Sequence, residues 1–257
     1  AYCYMDITTI ENRVVVIGMS GQVIEYDLDG NIVGKNTEKA YRYNGVTTVE
    51  DGVIAVSLYG NVVKYDLEGN VIWKNSEKLY SYYGVTTVED GVIAIGTMGE
   101  GENTSRAYNN GQVVKYDFNG NIVWENTEKI QEYFWVYNAI TTVEDGIIAV
   151  AERGRVVKYD LEGNIVWENT EKSYNYYGVT TVEDGVIAVG YNGQVVKYDL
   201  EGNTVWENTE KSYRYRGVTT VENGVIAVSD YGQVVKYDLE GNIVWENTEK
   251  GNIYGIT

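Results

Sequence analysis

The chain has 257 residues and a formal net charge of −18, enough length to bury a sizeable core and the wrong charge for nucleic acid or an anionic membrane surface. Histidine is absent and Cys3 is the only cysteine, which excludes Ser-His-Asp and Cys-His catalysis, an internal disulfide and a thiolate zinc cluster. No apolar run is long enough to span a bilayer, so no membrane insertion is expected.

One phrase recurs six times. Its tyrosine stands at Tyr26, Tyr65, Tyr116, Tyr159, Tyr198 and Tyr237, a period near 40 residues that marks stacked identical units. The copies occupy residues 1–39, 40–78, 79–129, 130–172, 173–211 and 212–250, and 251–257 opens a further one. With no polar linker between copies, the chain reads as a single domain. The cleanest copy, from Gly178, predicts four strands in order. Val179–Val182 is β-branched and strand-forming, and Glu183-Asp184-Gly185 turns the chain. Val186–Val189 is the second strand, Gly190–Gly193 a turn, and Gln194–Tyr198 the third strand. Asp199-Leu-Glu-Gly202 is a hairpin turn in which Asp caps its own backbone and Gly supplies positive φ, and Asn203–Glu207 is the fourth strand. Proline is absent, so glycine makes the turns. Four short antiparallel strands per unit make one propeller blade, and six units predict an all-β, six-bladed, closed β-propeller.

The spacing Tyr-Asp-x-x-Gly-x-x-x-Trp occurs at Tyr65–Trp73, Tyr116–Trp124, Tyr159–Trp167, Tyr198–Trp206 and Tyr237–Trp245. It resembles the tryptophan-docking repeat of the quinoprotein-like (PQQ-like) β-propellers. The resemblance implies that Trp73, Trp124, Trp167, Trp206 and Trp245 each dock on the adjacent blade. Gly34 holds that place in the first copy, where the loosest packing is expected. The family's quinone-dependent dehydrogenases typically carry eight blades, metal-ligating acids and often a vicinal disulfide, none of which maps onto this chain. The likeness therefore implies the scaffold and not the redox chemistry: no cofactor, neither quinone nor haem nor tightly held metal, is expected. Many relatives are non-enzymatic binding or assembly proteins.

Function must come from a site. One set of turns is monotonous, repeating Glu-Asp-Gly and Asp-Leu-Glu-Gly, whose acids read as solvated turn residues rather than metal ligands. The opposite loops vary between copies. Those joining second and third strands carry Leu58-Tyr59, Glu152-Arg153, Tyr191-Asn192 and Asp230-Tyr231, and the third copy inserts Thr97–Asn110. Those between copies read Tyr41-Arg-Tyr-Asn44, Tyr80-Ser-Tyr-Tyr83, Tyr174-Asn-Tyr-Tyr177 and Tyr213-Arg-Tyr-Arg216, with Trp135 in the divergent fourth. Tyr43, Tyr82, Tyr176 and Tyr215 recur at one place and read as packing. Arg42, Tyr59, Tyr83, Trp135, Arg153, Tyr177, Tyr191, Arg214, Arg216 and Tyr231 are the candidate ligand-binding residues, because tyrosine and arginine suit recognition surfaces. The expectation is a non-catalytic, monomeric module that binds a glycan or a protein partner. The alternatives are a structural spacer in a larger surface protein and, less favoured, a quinone-dependent or glycan-cleaving enzyme. Outside the third copy's insert and the divergent fourth segment, the acids peculiar to the variable loops are Glu152 and Asp230, too few for a catalytic cleft. The start at Ala1 fits a processed or trimmed protein. Localisation stays open, leaning to extracellular or cell-surface.

Overall fold

The computed structural model describes residues 4–37, 41–78, 80–98, 111–127 and 136–248. The fold is all-β: a six-bladed β-propeller of four-stranded antiparallel sheets, with strands paired in chain order within every blade. Residues 1–136 and 137–257 form two compact units of three blades each. In the first unit, blade one runs from Tyr4–Ile10 to Ile32–Asn36, blade two from Tyr43–Val49 to Val71–Asn75, and blade three from Tyr80–Val88 to Ile122–Thr127. In the second unit, blade four runs from Tyr137–Val143 to Ile165–Asn169, blade five from Tyr176–Val182 to Thr204–Asn208, and blade six from Tyr215–Val221 to Ile243–Asn247.

Burial follows position in the blade. Second and third strands such as Gly185–Gly190 and Val195–Tyr198 are buried on both faces, which is why they read as unbroken Val/Ile/Ala runs. Fourth strands such as Thr204–Asn208 alternate exposed and covered residues. First strands lie beside one another and are joined by threonines. In the first unit, Thr8 and Thr48 share a hydroxyl hydrogen bond of 2.8 Å, and Thr87 Oγ1 donates to the Thr48 carbonyl at 2.6 Å. In the second, Thr141 meets Thr181 at 2.9 Å and Thr220 Oγ1 donates to the Thr181 carbonyl at 2.6 Å. The repeated Thr-Thr is thus a ladder between blades as well as a strand former.

The recurring tyrosines form buried pairs. Tyr43 and Tyr65 hydroxyls lie 2.5 Å apart, Tyr82 and Tyr116 2.7 Å, Tyr137 and Tyr159 2.7 Å, Tyr176 and Tyr198 2.8 Å, and Tyr215 and Tyr237 2.7 Å. Each pair crosses from first strand to third strand with its rings edge-on and satisfies two polar atoms that would otherwise be stranded in the core. Tyr26 of blade one is only half-buried, unlike its fully buried counterparts Tyr65, Tyr116, Tyr159, Tyr198 and Tyr237.

The tryptophans explain the rest of the phrase. Trp73 Nε1 donates to the Phe118 carbonyl of blade three, Trp167 Nε1 to Leu200 of blade five, and Trp206 Nε1 to Leu239 of blade six, each at 2.8 Å. The glycine of the accepting turn lies under the indole: a Cβ on Gly241, where φ is +87°, would sit 2.7 Å from the Trp206 ring. Asp199 caps its turn as the sequence predicts, its Oδ1 accepting the Asn203 amide at 2.7 Å. The turn acids of Glu-Asp-Gly are held as well, Asp184 by Lys197 at 2.7 Å, and that hydrogen bond keeps the Asp184 carboxyl below the usual range. The solvated-turn reading of these acids therefore lacks their lysine partners.

Blade one departs from the pattern in a coordinated way. Gly34 replaces the tryptophan and Glu25 the lysine, while Arg13 takes the register position of Gly91 in blade three. The Glu25 carboxylate, in a side chain 1% exposed, lies where a Gly34 Cβ would be 3.0 Å away. It pairs with Arg13 at 3.0 Å, and Arg13 Nη1 donates to the Leu67 carbonyl of blade two. That carbonyl is the counterpart of Phe118, Leu200 and Leu239. A guanidinium held by a buried carboxylate thus makes the hydrogen bond that an indole makes elsewhere.

Candidate functional site

Within each unit the described candidate residues sit at one end of the strands, opposite the tight turns. Backbone hydrogen bonds fix the variable loops of blades two, five and six to the segment entering the same blade: Leu58 N to the Arg42 carbonyl at 2.9 Å, Tyr191 N to Asn175 at 3.0 Å, and Asp230 N to Arg214 at 3.0 Å. These three loops differ in side chain while sharing that backbone hydrogen bond, which suits a surface that changes its chemistry without changing its fold.

In the first unit, Arg42 is half-buried, Tyr59 is 58% exposed and Tyr83 is half-buried. No side-chain hydrogen bond, ion pair or ring contact joins these three among the described residues. Trp135 lies outside the described residues, as do Gly99–Asn103 and the tail from Gly251.

In the second unit the candidates converge. Arg214 stacks on Tyr191, its Cζ 4.1 Å from the ring centroid and 6.0 Å from that of Tyr231. Arg216 stacks on Tyr177 at 4.4 Å, and the Tyr177 and Tyr191 rings touch with centroids 6.0 Å apart. Asp230 lies between the two cations. Its Oδ1 accepts from Arg216 Nε at 2.7 Å, and its Oδ2 is 3.3 Å from Arg214 Nε. Arg214 Nε is shielded from solvent yet has no aligned acceptor, while Nη1 donates to the Tyr231 hydroxyl at 3.3 Å. That phenol is the first cause of the Arg214 guanidinium's pKa being raised. Arg153 is exposed at φ 58° on the short 3-10 turn Glu152–Gly154. Its amide donates to Asn175 Oδ1 at 3.0 Å, which ties blade four to the loop entering blade five.

Two residues escaped the sequence reading. Asp230 reads there as an isolated acid; in the structure it is the bridge of the cluster. Arg155 replaces the glutamine found at Gln112, Gln194 and Gln233, and is 2% exposed. It donates from Nε to Glu168 at 2.7 Å and from Nη1 to the Tyr137 hydroxyl at 2.8 Å, so it braces blade four from inside. Comparison of the six copies was the signal that could have found it.

The repeats and their seams define a β-propeller built of PQQ-like units. The family described as outer membrane protein assembly factor BamB matches residues 109–252, more than half of the chain, and the chain belongs to that family. No curated protein matches it in sequence. Among solved structures, BamB from Moraxella catarrhalis is 20% identical with a TM-score of 0.67, over 96% of this chain and 76% of that one. The Cps50 (Swd1) β-propeller domain of Myceliophteria thermophila is 10% identical with a TM-score of 0.76, over 99% and 89%. The computationally designed Ika8 protein is 10% identical with a TM-score of 0.69, over 100% and 90%. At these identities the likeness is one of fold. Among the described residues no helix is long and apolar enough to cross a membrane.

Proposed function

We propose that the chain is a non-catalytic recognition module that binds a protein partner through the variable loops of blades five and six. The description of its family as an assembly factor supports a protein partner. The observation that carries the reading is the stacking of Arg214 on Tyr191 and of Arg216 on Tyr177. Sugar rings dock on open aromatic faces, and here those faces are taken by guanidinium groups. What remains on offer is a set of N–H donors, with Tyr231 at 54% exposure beside them. Arginine and tyrosine in such an arrangement are the side chains that dominate protein interfaces. Asp230, engaged by two arginines, is poorly placed to act as a general base.

A peptide-display library and a glycan array, each screened with the purified chain, test this. Peptide binding is expected, and it should be lost in the combined Tyr177→Ala, Arg214→Ala and Arg216→Ala variant while circular dichroism stays unchanged. Hits confined to glycans, or peptide hits indifferent to the triple substitution, would defeat the proposal.

A further inference from the structure

We infer that the Arg214–Asp230–Arg216 cluster takes a carboxylate-bearing, acidic segment of the partner, with Asp230 as a resident carboxylate that occupies part of the donor set of the two guanidinium groups. The inference rests on the recognition reading above and names the chemistry of what is recognised. Two guanidinium groups face one carboxylate, so the cluster carries a surplus positive charge. Each guanidinium offers five N–H donors. Arg216 uses Nε on Asp230 and Arg214 uses Nη1 on Tyr231, and Arg214 Nε is shielded and without an aligned acceptor. Stacking on Tyr191 and Tyr177 fixes the planes, so the donor edges are organised before a ligand arrives. A planar, anionic, bidentate acceptor fits such a fork, and a carboxylate is that acceptor in a polypeptide.

The net charge of −18 taken as a whole opposes an acidic ligand, but its placement does not. In the second unit Glu144, Asp145, Glu183, Asp184, Glu222 and the acids of the Asp160, Asp199 and Asp238 turns lie at the other end of the strands. Strands of four to seven residues separate the two ends, roughly 13–23 Å. That exceeds the Debye length of about 8 Å at physiological salt, so the turn acids are screened from the cluster. Nearer the cluster's end, Glu168 is paired with Arg155, Glu207 with Lys172 and Glu246 with Lys211. Among the described residues, Glu152, Glu171 and Glu210 are the other acids at that end.

Fluorescence anisotropy with labelled peptides of equal length decides the matter at about 0.15 M salt, where the distant acids are screened. One peptide alternates Glu and Ser, one Lys and Ser, one Gly and Ser, and oligogalacturonate serves as a competing anionic glycan. The Glu peptide is expected to bind and the others not. Arg214→Gln with Arg216→Gln should weaken it about tenfold or more, and lysine at both positions should restore it only in part, since an ammonium lacks the planar fork. Asp230→Asn keeps an acceptor for Arg216 Nε, removes the competing charge and should tighten binding several-fold. If the double glutamine variant does not fold, Asp230→Asn decides alone: unchanged or weaker binding overturns the inference. So does preference for the neutral or basic peptide, or binding of oligogalacturonate without the Glu peptide. Neutral or basic peptides that bind and are lost in the triple alanine variant would leave the recognition reading standing. Failure of every peptide, whatever its charge, would remove that reading itself.

Discussion

The buried tyrosine pairs show how a polar atom earns its place in a core. Tyr176 and Tyr198 are fully buried, and each hydroxyl has the other as its partner. Tyr198→Phe leaves the Tyr176 hydroxyl without a partner and should cost about 1–3 kcal/mol, whereas replacing both should cost less than the sum, because nothing is then stranded. Urea denaturation of the two single variants and the double reads this directly, and additive losses would mean that the pair is not a unit. Asp6 is the opposite case. It stands in the first strand of blade one where blade two has Gly45, and its carboxylate accepts the Val46 amide at 2.9 Å. Burial pushes its carboxyl up to about 7, against the lowering effect of the Val46 and Ile7 amides. The folded state then holds a proton that the unfolded state releases near pH 4, so this contribution is full at low pH and is lost as pH rises through about 7. Asp6→Gly should therefore stabilise the protein more at pH 8 than at pH 4, as measured by denaturation midpoints at both. An equal effect at both pH values would refute the assignment.

Each seam between blades is a small kit of parts, and its members depend on one another. Trp206 spans from its own fourth strand to the Leu239 carbonyl and the Gly241 backbone of the next blade. It is half-buried, so Trp206→Ala should cost about 3 kcal/mol, the lower end of the range for emptying an aromatic site. The kit of blade one has different parts. Gly34→Trp alone would drive a Cβ to 3.0 Å from the Glu25 carboxylate and should destabilise the fold. Combined with Glu25→Lys and Arg13→Gly, which restore the parts of the other blades, the same tryptophan should recover most of that loss. Midpoints for the single and triple variants test the coupling, and independent, additive effects would show that Arg13 is not the indole's substitute. A seam of this kind is only half written in the sequence. The missing tryptophan shows as a break in a column, but Arg13 and Leu67 are 54 residues apart, and only the meeting of two blades makes them partners. The Thr-Thr ladder hides for the same reason, since a β-branched pair reads first as strand propensity.

Repetition made the architecture readable, and departure from repetition made the site readable. The strand predicted at Val179–Val182 is Tyr176–Val182 in the structure; the bulge between Tyr176 and Gly178 breaks the alternation that would have marked its start. Tyr177, Tyr191, Arg214, Arg216 and Tyr231 drew attention because they vary among near-identical copies. That they stack through Asp230 was hidden, because the loops come from different blades. The same repetition sets the alkaline limit of the molecule. Burial pushes the phenols of Tyr116, Tyr198 and Tyr237 up to about 12, and those of Tyr82, Tyr176 and Tyr215 higher still. A phenol in the unfolded chain ionises near pH 10. The folded state thus keeps protons that the unfolded state gives up, so this stability is complete below about pH 10 and drains away as pH rises towards 12. Because these pairs occur in both units, the loss falls on many blades in the same interval, and the charge of −18 only adds repulsion as phenolates form. Tyr59 and Tyr231, by contrast, lie open to solvent at 58% and 54% exposure. Absorbance at the tyrosinate band should accordingly rise in two stages, a reversible one with the circular dichroism intact and a second that coincides with its collapse. A single stage near pH 10, with the strands still in place, would mean that the tyrosine pairs are not sealed from solvent.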